Sequence, residues 1–322
     1  MIQDRRQMLA AVYRETVEFV MAGRYETEDG TEVVLPDDSE MIRGSRLYRE
    51  AIVLGARSSS PALRAQTSSS ANTADGTSAP PEVAVWNSDS IDAGKRLLDE
   101  GYNVAVLNLA SHRNPGGGVM NGSAAQEESL FRRTNLFRSM YQFAHYAEEY
   151  GLKRSRYQYP LDRRNGGVYT PGATVIRDAR LRLLAEPYQL SFIAVPAIAH
   201  PDVTSVAPCG IGSAGFTPAN VADGDVRAPG LWLTDEMVDL TRQKMRTIFR
   251  IAAHHGHDAL VLGAFGCGAF RNPPRHIALL FKEVMQETEF TGRFRKIVFA
   301  ILEDRNAPRG GNLQPFREVF GC

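Results

Sequence analysis

Leu9, Val12, Tyr13, Thr16 and Val20 recur at the three- and four-residue spacing of one helix face, and Gly23 follows as a stop. The spacing predicts an amphipathic N-terminal helix with one buried face. The stretch from Val33 to Tyr48 reads as strand or loop feeding a polar turn. Between residues 57 and 81 the apolar period disappears into Ser, Thr, Ala and Pro, which predicts a flexible surface insert. The remaining segments suggest an N-terminal extension over 1–56 and a main domain over 82–322.

Beyond the insert, short apolar runs alternate with helical periods. Runs at 83–87, 102–110, 190–198, 258–265 and 296–304 read as strands. Helices are expected over 90–101, from about Ala124 to Tyr150 with Leu130, Thr134, Phe137 and Tyr141 inward, over 234–256 with Met237, Leu240, Met245, Ile248 and Ile251 inward, and from Pro274 onward. Strands that are apolar on both faces and separated by helices define a sheet covered on both sides, a three-layer α/β/α class. Ligands of such sheets bind where strands give way to loops and helix N-termini.

Charge sharpens this picture. Lys+Arg and Asp+Glu are both 37, so no overall basic excess grips nucleic acid, and anion binding must come from loops and helix ends. Cys209, Cys267 and Cys322 are scattered and odd in number, which argues against a disulfide framework and for a reducing intracellular setting. No apolar run has the length of a membrane span, and the acidic residues of the N-terminus do not fit a secretory signal.

Two glycine loops carry the candidate chemistry. The first runs from Asn114 through Gly116, Gly117 and Gly118 to Gln126, Glu127 and Glu128, between a buried strand and a helix. Consecutive glycines let main-chain N–H groups approach a ligand closely. Ser123 and Gln126 have the spacing of a capping box. Acidic residues at a helix start are ordinary dipole partners, and the dipole favours the ionised carboxylate. A general acid must hold a proton, and two adjacent carboxylates together with a bound diphosphate would oppose the dipole. The second loop, Gly263 to Pro274, presents Gly266 and Gly268 between a strand and a helix start, as in a phosphate cradle. Cys267 within it reads as a small packing residue. His254, His255 and His257 lie at a helix end beside Gly256, where capping and solvation are expected rather than metal ligation.

Taken together, Gly116-Gly117-Gly118 followed after seven residues by Gln126-Glu127-Glu128, with the GAFGCGAF loop at 263–270, resembles the microbial-type poly(ADP-ribose) glycohydrolases, which have a macrodomain core. The likeness extends over about 80–320 and implies a macrodomain-like mixed sheet. It implies Glu128 as the acid that protonates the ribose–ribose leaving oxygen and then activates water. Glu127 and Gln126 would hold and orient the terminal ribose. Gly116, Gly117 and Gly118 would line that ribose, and Asn114 would touch one of its hydroxyls. Gly266, Cys267, Gly268, Ala269 and Phe270 would hold the diphosphate, with Phe270 against the terminal ribose, and Asp89 would read the adenine. The partners implied are poly(ADP-ribose) or an ADP-ribosylated protein, with ADP-ribose as product, no metal or other cofactor, and a place in reversing ADP-ribosylation and in the DNA damage response. An ADP-ribose reader without turnover and a hydrolase of single ADP-ribose units remain as alternatives.

Overall fold

A computed structural model describes residues 2–55, 79–207, 230–303 and 311–321. Most of the expected insert at 57–81, together with Cys209 and Cys322, lies outside the described residues. The chain opens with α1 (Ile2–Ala22), which buries Leu9, Tyr13, Thr16 and Val20 as its period predicts and stops at Gly23, whose φ of 69° suits a residue without a Cβ. A small hairpin, β1 (Arg24–Glu26) and β2 (Glu32–Val34), precedes α2 (Ser39–Gly44) and β3 (Arg46–Tyr48).

Then come β4 (Glu82–Trp86), α3 (Ser90–Asp99), β5 (Val104–Leu109), α4 (Gln126–Arg133), α5 (Leu136–Met140), β6 (Gly167–Arg177) and β7 (Leu183–Val195). The short pair β8 (Val203–Thr204) and β9 (Trp232–Leu233) leads to α6 (Asp235–His254). Last are β10 (Ala259–Leu262), α7 (Pro274–Val284), β11 (Lys296–Ala300) and α8 (Leu313–Phe320).

Seven strands form one sheet in the order β3-β6-β7-β5-β10-β11-β4. The strands β7, β5, β10, β11 and β4 run parallel to one another, whereas β6 is antiparallel to both β3 and β7. Alternation along the strands serves two cores. Val106, Val261 and Val298 pack with Tyr13, Leu97, Phe131 and Phe137 from α1, α3, α4 and α5. Leu107, Leu260 and Ile297 pack with Met245, Phe281 and Phe316 from α6, α7 and α8. The result is the expected α/β/α layering. Phe131, Phe137, Phe281 and Phe316 are completely buried, and each such ring contributes roughly 2–3 kcal/mol relative to exposure.

The helix expected over 124–150 is broken. Thr134 adopts an extended conformation, its hydroxyl donates to the Leu130 carbonyl at 2.8 Å, and it bridges to Val175 of β6. Asn135 then accepts the Thr174 N–H on its side chain at 2.7 Å and donates its own N–H to the Thr174 carbonyl. Short polar side chains here divert the backbone from helix to sheet pairing. The inward set Leu130, Thr134, Phe137 and Tyr141 is nonetheless buried as expected.

The N-terminal segment is woven into the main sheet and its core. β3 pairs with β6 through Arg46↔Tyr169 and Leu47↔Val168. The Tyr13 and Tyr141 hydroxyls share a hydrogen bond of 2.5 Å, and the Thr16 hydroxyl donates to the Arg132 carbonyl at 2.7 Å. Among the described residues no helix is long and apolar enough to cross a membrane.

Candidate active site

The five parallel strands point their C-terminal ends to one edge, so the segments after β4, β5 and β10 emerge there together. β5 and β10 are adjacent, and the Leu109 side chain lies 3.7 Å from where a Cβ on Gly263 would stand. Both glycine loops therefore begin side by side.

The first loop is held by the helix that follows it. The Ser111 N–H donates to Glu127 Oε2 at 2.6 Å and the Gly116 N–H to Glu127 Oε1 at 3.1 Å. Glu127 is 3% exposed and staples both arms of the turn. The Gly118 N–H donates to Glu128 Oε1 at 2.9 Å. Glu128 Oε2 is buried and accepts no hydrogen bond from any described residue. An orphaned carboxylate oxygen in a buried position is costly unless a ligand completes it.

The glycines are required by space as well as by dihedral angle. Gly116 and Gly117 have φ of 79° and 54°, and a Cβ would lie 2.7 Å from the Phe131 ring in one case and 2.6 Å from Glu128 Oε1 in the other. A Cβ on Gly118 would meet Ser123 Oγ at 2.4 Å.

The capping box does not form. α4 starts one turn later than Ser123, with Ala125 at its N-cap and no side-chain cap bond. Gln126 instead fastens the helix to the sheet. Its Oε1 accepts the Leu109 N–H at 2.8 Å, and its Nε2 donates to the Leu107 carbonyl at 2.8 Å and to Ser90 Oγ at 3.1 Å. Both amide hydrogens are spent inside the protein, so a sugar hydroxyl finds only a lone pair on this side chain. Asn114 is exposed at the loop's tip, and its carbonyl accepts the Gly117 N–H.

The second loop keeps its shape by its own backbone. The Cys267 N–H donates to the Ala264 carbonyl, Arg271 to Gly268, and Asn272 to Gly266. Asn272 Nδ2 adds bonds to the Ile198 and Gly266 carbonyls at 2.8 and 3.1 Å. Gly266 has φ of 75°, and a Cβ there would lie 2.4 Å from Asn272 Nδ2. Gly268 faces open space. The N–H groups of Gly268, Ala269 and Phe270 donate to no described residue, whereas the Phe270 carbonyl accepts from His200. A row of free N–H groups suits an anion. Cys267 is completely buried, its thiol is pushed above the ordinary range by burial, and it points at the Phe265 carbonyl. It packs, as expected, and is unsuited to nucleophilic attack.

Asp89 is the N-cap of α3, accepting the N–H groups of Ile91 and Asp92 on Oδ1. The same oxygen accepts from Arg133 at 2.7 Å, while the other arm of Arg133 reaches Asp92 at 3.1 Å. Arg133 is 1% exposed and closes α4, so one helix carries Glu127 and Glu128 at its start and the Asp89 clamp at its end. The residue pattern held no warning of Arg133.

Burial pushes the Glu127 carboxyl up to about 8, offset by the N–H groups of Ser111 and Gly116 and reinforced by Glu128. The Tyr159 hydroxyl is buried without a described partner and is held well above its ordinary range by burial, then by the negative charge of Glu127 and Tyr146. Asn108, whose Oδ1 is also buried and unpartnered, was visible in sequence only as a polar residue inside an apolar strand. The histidine cluster corrects an expectation in part. His255 caps α6 through its N–H, but it stacks on Tyr169 with ring centroids 3.5 Å apart and bonds the Tyr48 hydroxyl, while His257 bonds the Tyr169 hydroxyl. His254 is exposed as expected, whereas tyrosines pack on His255 and His257.

A macrodomain-like sheet that brings two glycine loops and a buried carboxylate pair to one edge defines an ADP-ribose-type glycosidase class. The family model "Microbial-type PARG, catalytic domain" matches residues 13–178, just over half of the chain. A poly(ADP-ribose) glycohydrolase (PARG) from Thermomonospora curvata is similar in structure, with 31% identity, a TM-score of 0.67, and coverage of 98% of this chain and 100% of that one. The same organism's glycohydrolase bound to the inhibitor ADP-HPD is similar at 30% identity and a TM-score of 0.66, covering 97% of this chain and 99% of that one. The Deinococcus radiodurans glycohydrolase in complex with ADP-ribose is similar at 27% identity and a TM-score of 0.58, covering 90% and 98%. No curated protein matches the sequence. The chain belongs to the microbial-type PARG family and is a hydrolase of that glycosidase class.

Proposed function

We propose that Glu128 is the general acid and base of a poly(ADP-ribose) glycohydrolase and that its Oε2 is the atom that handles the proton. The observation that carries this role is the asymmetry of the carboxyl group, with Oε1 held by Gly118 and Oε2 buried and unpartnered. Cleavage of the ribose–ribose bond builds positive charge at the anomeric carbon and negative charge on the departing oxygen. A proton from Glu128 to that oxygen lets the alcohol leave. Glu128 then takes a proton from the water that adds to the anomeric carbon, and the free carboxyl is restored.

The other residues position substrate. The free N–H groups of Gly268, Ala269 and Phe270 support a diphosphate-binding role for 266–270, and Gly116 to Gly118 present bare main chain where the terminal ribose would lie. Asp89 keeps one carboxylate oxygen for the adenine while the other is occupied by its cap and by Arg133. Glu127 acts on the ribose by holding the loop in shape, and Gln126 by fixing the helix start. The ADP-ribose and ADP-HPD held by the similar structures have the sugar diphosphate that this arrangement fits. Three dispersed cysteines, with Cys267 a buried thiol, suit a reducing intracellular compartment.

Glu128→Gln tests the assignment. Release of ADP-ribose from the polymer should fall by about a hundred- to ten-thousand-fold while ADP-ribose affinity changes by no more than a few-fold. Turnover kept near the parent level would remove Glu128 from the chemistry, and joint loss of binding and turnover would make it a structural residue. Tight binding of ADP-ribose by a parent protein that releases none would identify a reader.

A further inference from the structure

We propose that residues 151–166, together with Arg113, form a second anion-binding surface that receives the pyrophosphates of the polymer beyond the unit being cleaved. The inference rests on the glycohydrolase reading and extends it to the substrate's length. The whole chain is neutral, yet 152–165 holds five cations, Lys153, Arg154, Arg156, Arg163 and Arg164, against one carboxylate, Asp162. That carboxylate is committed to the backbone, accepting the N–H groups of Arg164 and Asn165 at 2.9 and 2.7 Å. None of the five cations makes an ion pair with a described carboxylate. Several cations elsewhere are paired, as Arg246 is with Glu287, Arg250 with Glu289 and Arg182 with Asp178. All five are exposed, as is Arg113.

The surface adjoins the site. The Leu161 N–H donates to the His112 carbonyl at 3.0 Å, two residues before Asn114. His112 is held below its ordinary range by partial burial and then by the positive charge of Lys244, Arg113 and Arg163. The segment is also built rather than loose. Its Ser155 and Tyr159 N–H groups donate to the Gln142 and Phe143 carbonyls at 2.8 and 2.9 Å. Arg156 lies 4.6 Å from the Tyr157 ring, and Tyr157 is 39% exposed, so a flat cation–aromatic pair is open to a base of the chain.

A polymer unit carries two phosphates and one adenine, and the surface offers guanidinium groups and an exposed ring in matching kind. Four phosphate contacts on a single-stranded polyanion lose about fifty-fold in affinity between 50 and 200 mM salt. The surface should therefore act most on long chains, since the ADP-ribose dimer offers only one pyrophosphate beyond the cleaved bond.

The test compares long poly(ADP-ribose) with the ADP-ribose dimer, using the parent protein and the double variant R154E/R156E, at low and moderate salt. The expected result is a rise of about tenfold in KM for the long chain in the variant, with a flatter salt dependence and dimer kinetics within twofold of the parent. Equal change on both substrates, or none on either, overturns the inference. It is also overturned if the variant loses binding to duplex DNA while KM for the long chain stays unchanged, since the surface would then serve nucleic acid. Equilibrium binding of both ligands to Glu128→Gln reads the surface without turnover. Length-dependent affinity in a parent protein that cleaves neither substrate would overturn the glycohydrolase reading alone.

Discussion

The two glycine loops leave neighbouring strands at the same edge and are built by opposite means. The loop at 111–128 is held by side-chain carboxylates reaching back from α4, so its acidic groups are part of its own scaffold. The loop at 263–274 is held by its backbone and by Asn272, and the N–H groups of Gly268, Ala269 and Phe270 have no acceptor among the described residues. The first loop therefore presents one unfilled oxygen acceptor, and the second presents several unfilled donors. A sugar diphosphate needs both, an acidic group at its glycosidic end and donors along its phosphates. The contrast also explains why a buried carboxylate is tolerated. Glu127 is expensive to desolvate, but its two N–H partners convert that cost into loop geometry.

Substitution can break this contrast at its sharpest point first. Gly117→Ala forces a Cβ to 2.6 Å from Glu128 Oε1 at a φ of 54°, and kcat should fall by about a hundredfold or more while the fold survives, measured by ADP-ribose release and circular dichroism. Unchanged kcat would show that the Glu128–Gly118 contact is not needed. In the second loop the expected change is smaller and falls on binding. Gly266→Ala should cost about 2 kcal/mol of stability and raise KM roughly tenfold, because its Cβ collides with Asn272. Gly268→Ala, which meets nothing within 4 Å, should leave the melting temperature within a degree or two and change KM alone.

The next effect is on pH dependence. The folded-state pKa of Glu127 is raised to about 8, above its ordinary carboxyl value, so the native state holds a proton that the unfolded chain has released. Its contribution to stability is full below the ordinary carboxyl range and fades as pH rises through about 8. The melting temperature should decline across that window, and Glu127→Gln should flatten the decline. A steeper slope in the variant would place the titrating group elsewhere. The smallest expected change is Cys267→Ser, with turnover kept within about twofold and at most about 1.5 kcal/mol lost, since the thiol only packs and points at a carbonyl. A collapse of activity would reopen nucleophilic catalysis.

Much of this layout was legible in residue order because it is local. The period of Leu9, Tyr13 and Val20, the apolar run that became β10, and the inward face of α6 each depend on nearest neighbours and appear as expected. β6 escaped because Pro171 and Gly172 interrupt it, and the pairing with β7 shifts register at that point. The break at Thr134 escaped because its cause is the partner strand, where Val175 lies 41 residues downstream. In the site, residue types announced the glycines and the acidic pair. The division of labour proposed for Glu127 and Glu128 came from the family resemblance alone, since two adjacent identical residues differ only in which N–H groups they meet. Ser123 and Gln126 satisfied a local motif that a stronger long-range claim on Gln126 displaced. Arg133 had no local signal because its partners, Asp89 and Asp92 at α3 and the Arg177 carbonyl on β6, all lie 41 or 44 residues away.

α4 is only eight residues long, and both of its ends are tied down, by Gln126 to the sheet and by Arg133 to the start of α3. At 1.5 Å per residue it spans about 12 Å. It works as a ruler, setting how far Glu128, the proposed proton donor, stands from Asp89, the side chain proposed to read the adenine. Drift in any surface loop leaves that gauge untouched, whereas one inserted residue inside the helix would rotate Glu128 by about 100° relative to Arg133 and put the two marks out of line.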